Sequence, residues 1–572
     1  MKIEFPVFPQ SPWPYFLTVC KVVVSLLFVC GTAHADDMAT IEQRIVADVM
    51  AELPTDNSVT NDMIQLDASG LWPDLVYNQT STTDAHLVRM RDMARAYSSS
   101  GSTHYNSVDL RDKYLLAFDG WVREDPDNDN WWWRAIGYPR ALGESMLLMK
   151  AAFSPAQMDS GVILLARSYL ARDDTSTGNT GVNRTDRAYG TMMRAILTNN
   201  GSLLTESFLA IGDAILVTTL EGMQPDGSFH QHREQLYSGG YGLRFAVDIA
   251  KYGSYGAGTP LNYGPRQIRE FTDFMLDGTQ WLLRGPLIDY VALGRTIVNS
   301  HQDSQNSVPF IDSVARTQAL AGDYRTAELA AFQANLEDAG DNGAADPALA
   351  ISGNHLYWRS DYMTHHRPDF MASVKTASTR TVEAECINEQ NKKGRHMSDG
   401  MLLIHRRGDE YTNLMPVWDW QRLPGTTIEQ AAYSLLPWGD LGWDSGWVFG
   451  TSTHAGGVSD GTDGTFSYIY SKLNVSARKS WFFVGDAIIA LGSAINAPAA
   501  TEPVLTTLNQ SHLNSPVTYS SSGATQAITS GTVSPSALQW VHHDETGYFF
   551  PGGSDAATLR AQEQPPFPRP PV

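Results

Sequence analysis

Between about residues 40 and 340 the apolar positions recur at spacings of three and four. Runs over 140–153, 159–171, 186–197, 203–220 and 266–283 put their apolar side chains on one stripe, with Gly, Asn, Asp or Pro between them, and predict amphipathic helices joined by loops. Hardly a strand pattern interrupts them. Helices of this kind bury their stripes against one another, so paired helices wound into a toroid or solenoid are expected, although no repeat is visible in the sequence. Around residues 345–365 the texture changes. Short runs at 370–374, 401–405, 466–470 and 481–484, separated by Gly, Asp, Asn and Ser, predict antiparallel strands and hence a β-sandwich in the second half. Trp540 to Asp544 and Gly547 to Pro551 read as two more paired strands. The chain then ends in Pro565-Pro566-Phe567-Pro568-Arg569-Pro570-Pro571-Val572, which cannot join a ladder because proline has no N–H to donate. This tail is expected to be disordered, a rigid polyproline segment for a partner being the other option.

At the other end, Lys21, the apolar run from Val22 to Cys30, and Ala33-His34-Ala35 ahead of Asp36-Asp37 form the three zones of a secretory signal. The run is shorter than the roughly 20 residues that a spanning helix needs, which weighs against the alternative of an uncleaved anchor. Four segments are therefore expected: a signal peptide over 1–35, a helical domain over 36–350, a β-sandwich over 351–555 and the Pro-rich tail over 556–572. The product is expected to be secreted or periplasmic, with no membrane attachment after cleavage. Cys20 and Cys30 leave with the signal and Cys386 is the one cysteine that stays, so disulfides are not expected to hold the mature fold.

Composition narrows the class. Of 572 residues 42% are apolar and 18% charged, with 15 Trp, 23 Tyr and 21 Phe, which excludes a disordered chain and a coiled coil. The 41 Lys and Arg against 62 Asp and Glu give a net charge of −21, so nucleic acid is disfavoured as a general partner. An anionic ligand would have to be held by a local site.

Four segments have compositions that packing explains poorly. In Asn130-Trp131-Trp132-Trp133-Arg134 three consecutive indoles cannot all face one helical core, and flat indole faces stack well on sugar rings; simple filling of a helix junction is the plainer reading, strongest for Trp133. Thr180-Gly181-Val182-Asn183-Arg184 leads into a helix, where Asn183 is either a cap or a neutral amide donor for a carboxylate. The stretch from Asp226 to Gly242 gathers His230, His232, Tyr237 and Tyr241 on glycine-rich backbone, where catalytic groups are often found. Its His-x-His also suggests zinc, against which stands the lack of Cys or Glu at ligand spacing. Finally, Gly294-Arg295 and Glu385-Cys386-Ile387-Asn388 supply an Arg able to clamp a carboxylate and a Glu able to orient it, though each alone is more often a surface ion pair.

Taken in order, these pieces resemble polysaccharide lyase family 8, the hyaluronate, chondroitin AC and xanthan lyases. The matching elements are 130–139, Thr-Gly-x-Asn-Arg at 180–184, Asp-Gly-Ser-Phe-x-x-His at 226–232 with Tyr241 nine residues after His232, Gly294-Arg295, 360–368, Pro416-Val417-Trp418-Asp419-Trp420 with Pro424-Gly425-Thr426-Thr427, and 456–461. The resemblance spans about residues 40–550. It implies a multidomain α+β protein in which an incomplete α/α toroid precedes antiparallel β-sandwich structure, here with a shortened C-terminal part. It implies β-elimination on the C4 side of a uronic acid, with an anionic polysaccharide as the partner, no cofactor, no metal, and a monomeric enzyme. By carry-over Asn183 holds the uronate carboxylate, His232 and Tyr241 are the base and acid, Arg295 keeps Tyr241 reactive or binds substrate, and Glu385 orients that group. Trp131 and Trp132, with Asn130, form the aromatic patch, and Asn299, Asn388 and Trp418 are further substrate contacts. Independently of the resemblance, a phenol of ordinary pKa of about 10 is a poor base at neutral pH, and Arg295 and His232 are candidates to lower it.

Two departures stand out. Many relatives carry a second Arg where this chain has Asn299, so one positive contact is missing. The β part also stops early, which would leave an exposed strand edge. Chondroitin and hyaluronan are the leading substrates, with a xanthan-type lyase or an inactive glycan-binding homologue as alternatives. A toroidal glycoside hydrolase is a competing class, but it would need two carboxylates about the scissile bond where this loop supplies His and Tyr.

Overall fold

The computed structural model describes residues 35–77, 82–300, 307–337, 348–388, 390–432, 435 and 447–562. Nearly all of the signal segment and the Pro565–Val572 tail lie outside these residues. The helical half contains α1 (Ala35–Val49), α2 (Asp56–Gln65), α3 (Thr83–Ser98), α4 (Val108–Glu124), α5 (Tyr138–Leu148), α6 (Pro155–Leu165), α7 (Gly181–Leu197), α8 (Gly201–Ala214), α9 (Leu243–Gly256), α10 (Pro265–Asp273), α11 (Ser307–Ala321) and α12 (Thr326–Glu337). Their starts follow local chemistry. Ser107 accepts the Leu110 N–H at the head of α4, and Ser154 with Gln157 forms a reciprocal capping box ahead of Pro155 in α6.

Helices α3, α5, α7, α9 and α11 pack serially as an inner row, and α4, α6, α8 and α12 lie outside them as their hairpin partners. This is the expected incomplete α/α toroid. Several expected helices end early, the 140–153 pattern at Leu148 and the 159–171 pattern at Leu165, each followed by a 3-10 turn. The 203–220 pattern stops at Ala214, and the 266–283 pattern gives α10, a π turn (Phe274–Gly278), a 3-10 turn (Thr279–Leu282) and a strand (Leu283–Arg284). The last break has a packing reason: a Cβ on Gly278 would stand 2.2 Å from the Gly227 carbonyl oxygen, so helical geometry yields where two backbone segments touch.

The first sheet orders Gly353–Tyr357, Tyr362–Arg367, Phe370–Thr376 and Asp399–His405 side by side, all antiparallel. Every residue of its two middle strands is buried. One face continues the helical core through Tyr357, Tyr362, Met401 and Leu403, and the other packs Met363, Ala372 and Val374 against Phe466, Tyr468 and Trp481 of the second sheet. Polar groups on the helical side are satisfied across the junction, as Tyr362 donates to Asp289 Oδ2 at 2.7 Å and the His366 ring bonds the Trp281 carbonyl at 2.9 Å. The second sheet orders Ala455–Ser459, Gly464–Lys472, Val475–Val484 and Ala487–Asn496.

A third sheet orders Ala524–Ile528, Val517–Ser521, Leu538–His543 and Thr546–Ser554. It contains the expected pairing of the Trp540 and Phe549 strands, and Pro551 is tolerated because its strand is at the edge. The boundary drawn at 555 falls too early. Leu559–Ala561 pairs with Gly531–Val533, and Ala561 is buried with Tyr519, Leu538 and Val541, so ordered β-structure extends into the segment assigned to the tail.

Candidate functional site

Four groups meet where the helical half joins the first β-structure. His232 lies on the loop before α9, Tyr241 on the π turn Ser238–Gly242 that starts that helix, Arg295 on the 3-10 turn Gly294–Val298, and Glu385 at the end of the strand Val382–Glu385. That strand pairs with Trp447–Phe449, and its Val382 N–H donates to the Glu234 carbonyl, which fastens it to the His232 loop.

Glu385 is fully buried and organises the set. Burial alone would raise its pKa, but the His232 ring and the Arg295 guanidinium outweigh burial and hold it at about 2. A carboxylate so held only accepts. It takes Arg295 Nη1–H at 3.1 Å, Gln235 Nε2–H at 3.2 Å and Trp447 Nε1–H at 3.2 Å, and it contacts His232 Nδ1. Arg295 Nη1, which can only donate, also lies 3.1 Å from that Nδ1, but the ionised carboxylate is the closer partner and favours the imidazole proton on Nδ1, leaving the Nε2 lone pair toward Tyr241. That lone pair faces the Tyr241 hydroxyl at 3.4 Å, and Arg295 Nη2 lies 3.5 Å from the same oxygen. Desolvation raises the Tyr241 phenol above its ordinary value and Arg295 offsets only part of the rise. The expectation of a lowered phenol is thus corrected, since the cation is present but burial outweighs it. The arrangement sets the His232 Nε2 beside a Tyr241 hydroxyl that keeps its proton at neutral pH.

The loop backbone is held in a conformation that non-glycine residues seldom adopt, with φ of 56° at His232 and 71° at Arg233. Glu221 fixes it. Its carboxylate accepts the Arg233 N–H at 2.7 Å and the Gln231 amide at 2.7 Å, and it also binds the Thr180 hydroxyl. Gln231 in turn accepts the Val182 N–H at 3.1 Å, so the start of α7 is tied to the residue beside His232. The close contact requires Gly181, at φ +49°, where a Cβ would stand 2.1 Å from Gln231 Oε1. Asn183, only 4% exposed, sits in this first turn of α7. One turn further, Asp186 accepts from Arg140 Nη1 at 2.9 Å and Arg244 Nη2 at 3.3 Å, which joins α7 to α9 just after Tyr241.

The three indoles are each half-buried, Trp131 and Trp132 just ahead of the π turn Trp133–Gly137, with Trp132 edge-on to Trp133 at 5.1 Å. Trp133 packs on the helical core, as its plainer reading had it. Trp131 lies under the Arg187 guanidinium at 5.3 Å, one turn from Asn183, and Asn130 Oδ1 accepts the Trp132 N–H at 3.1 Å. Asn388 stands on an exposed left-handed turn three residues after Glu385. Asn299 accepts from Gln390 at 3.2 Å beside Arg295.

Trp418 does not belong to this set. It is 5% exposed, donates to the Gln510 carbonyl at 3.2 Å and packs edge-on to Tyr411 and Trp420, so no face is open to a ligand. Trp418→Ala is expected to lower stability by roughly 3–5 kcal/mol, read in a urea melt, while kcat/KM of the folded fraction stays within about twofold. The two rings of His-x-His also part company. His230 is buried on Ser360 at 2.9 Å, with burial pushing it down to about 3, whereas His232 turns to Glu385. Sequence reasoning missed Glu221, Gln231, Gln235, Gln390 and Trp447, whose roles follow only from contacts between distant segments.

Comparison with known proteins gives a consistent result. The family model for the N-terminal α-helical domain of polysaccharide lyase family 8 matches residues 31–332, and that for its super-sandwich domain matches residues 352–565. The chain is 30% identical to chondroitinase-AC of Pedobacter heparinus over 96% of its own length and 76% of that protein. It is 26% identical to xanthan lyase of Bacillus sp. over 89% of its own length and 59% of that protein. Among solved structures, a chondroitinase AC lyase studied in oligosaccharide complexes superposes with a TM-score of 0.81 at 29% identity, covering 92% of this chain and 76% of the other.

Proposed function

Because the chain belongs to polysaccharide lyase family 8, we propose that it is exported and cleaves a uronic-acid glycosaminoglycan, chondroitin or hyaluronan, by β-elimination. One observation carries the reading: a base lone pair and an acid hydroxyl 3.4 Å apart, backed by a buried carboxylate and a guanidinium. The names of the similar proteins supply the substrate class.

In this reading His232 Nε2 removes the C5 proton of the uronate. The electron pair left behind spreads into the carboxylate, whose developing charge Asn183 stabilises by hydrogen bonding in a partly desolvated site. The pair then forms the C4–C5 double bond and expels the C4 oxygen, which takes the Tyr241 proton. Tyr241 recovers a proton from His232 Nε2 across the same short gap, so the cycle closes with no water consumed. Base and acid work from one side of the sugar, which makes the elimination syn. Glu385 keeps His232 in the tautomer that has a free Nε2, and Trp131 and Trp132 stack on the sugar rings of the chain.

Digesting chondroitin, dermatan sulfate, hyaluronan, heparin, alginate and xanthan in parallel tests this. Ultraviolet absorbance of a conjugated uronate is expected to grow with new chain ends for chondroitin or hyaluronan. New reducing ends without that absorbance would reject elimination, and a signal confined to xanthan would reject the substrate class.

A further inference from the structure

The guanidinium of Arg295 has several partners, and one of them lies outside the catalytic set. Its Nη1 reaches Glu385 and lies 3.1 Å from His232 Nδ1, its Nη2 reaches Tyr241, and its Nε–H donates to Gln390 Oε1 at 3.0 Å. Since Nε–H can only donate, Gln390 must present its oxygen there, and its Nε2 then donates to Asn299 Oδ1 at 3.2 Å. The opposite amide orientation would set N–H against N–H. Asn299 is itself fixed, for its N–H donates to the Thr296 carbonyl at 2.9 Å and it ends the Gly294–Val298 turn that carries Arg295. The contacts form a closed loop, from the turn through Asn299 and Gln390 back to the guanidinium.

We propose that Gln390, oriented by Asn299, is a positioning residue that fixes the rotation of the Arg295 guanidinium so that it reaches Glu385 and Tyr241 together. Without the Nε contact the guanidinium is anchored through Nη1 alone, at Glu385 and beside the His232 ring, and can swing about that anchor. The Tyr241 contact, at 3.5 Å the longest of these contacts, is then lost first. The consequence for turnover rests on the lyase reading above, whereas the consequence for Tyr241 does not. The charged groups acting on that phenol are Arg295, which lowers its pKa, and Glu385 and Asp186, which raise it, with His232 in contact. Loss of Arg295 alignment therefore raises it further.

The test uses the whole chain with Gln390→Met, which keeps the volume and accepts a hydrogen bond only weakly, and with Asn299→Ala as a second, milder variant. The ultraviolet pH titration of each protein minus that of the same protein carrying Tyr241→Phe reads Tyr241 alone, without turnover. In Gln390→Met this difference is expected to move to higher pH, with a smaller move in Asn299→Ala. The kcat for unsaturated product is expected to fall about tenfold with KM within about twofold, as for loss of one charge-assisted hydrogen bond. An unmoved Tyr241 titration in folded Gln390→Met would overturn the positioning role, even where kcat falls. If the parent makes no unsaturated product from any polymer yet the titration moves, the lyase reading fails and the positioning role stands.

Discussion

Tyr241→Phe is expected to lower the rate of unsaturated product formation by roughly 10²- to 10⁴-fold, the range for loss of a positioned general acid. Affinity for a chondroitin oligosaccharide should change little. The ring is held independently of its hydroxyl, edge-on to Tyr237 at 4.8 Å and against His232 at 5.0 Å, so Phe keeps the packing and loses only the transferable proton. Initial rates by absorbance and binding by calorimetry on the same preparation separate the two. An unaltered rate would remove Tyr241 from the mechanism, and lost affinity at an unaltered kcat would make it a binding residue. The pH dependence sharpens the point. Because desolvation raises the phenol above its ordinary value, its acid form persists beyond the usual tyrosine range. A loss of activity on the alkaline side below about pH 10 must then come from another group.

That last point was not legible in the sequence. The resemblance to the family's ordered motifs put His232, Tyr241, Arg295 and Glu385 on one short roster. The sign of the Tyr241 shift depends on how much solvent the fold removes, which no motif reports. The helical half was readable because its apolar residues recur at three-and-four spacing, as in 186–197, although α7 (Gly181–Leu197), which contains that run, is buried on nearly every side. It failed where backbone touches backbone, as at Gly278 on Gly227, because a close approach leaves no trace in apolar periodicity. The first sheet shows the converse. Its central strands Tyr362–Arg367 and Phe370–Thr376 are buried on both faces and carry His365, His366 and Lys375 inside, so alternation is absent and the first of them was missed. Trp418 misled for a related reason. A motif tryptophan reads the same whether it faces a ligand or a core, and only its partners at Gln510 and Tyr411, far along the chain, decide.

The remaining large effect concerns stability as well as catalysis, and it isolates one carboxylate. Glu385→Ala is expected to cost about 3–5 kcal/mol at pH 7, because it leaves the Arg295 charge buried without its counter-ion. Turnover should fall by at least about 10²-fold, since His232 loses the acceptor that selects its tautomer. The pH dependence separates this from ordinary core damage. In the folded protein Glu385 is depressed from 4.5 to about 2, so its ionised form stabilises the fold fully above the unfolded value, and that stabilisation is lost as pH falls from about 4.5 toward 2. The linked contribution is about 3 kcal/mol. Other carboxylates titrate in both proteins and cancel in the comparison. Urea melts of parent and variant at steps from pH 7 down to pH 3 should therefore show a gap that is constant above about pH 5 and narrows below it. A gap that keeps its size to pH 3 would mean that Glu385 titrates alike in the folded and unfolded protein, and that the lost volume, not the ion pair, accounts for the difference.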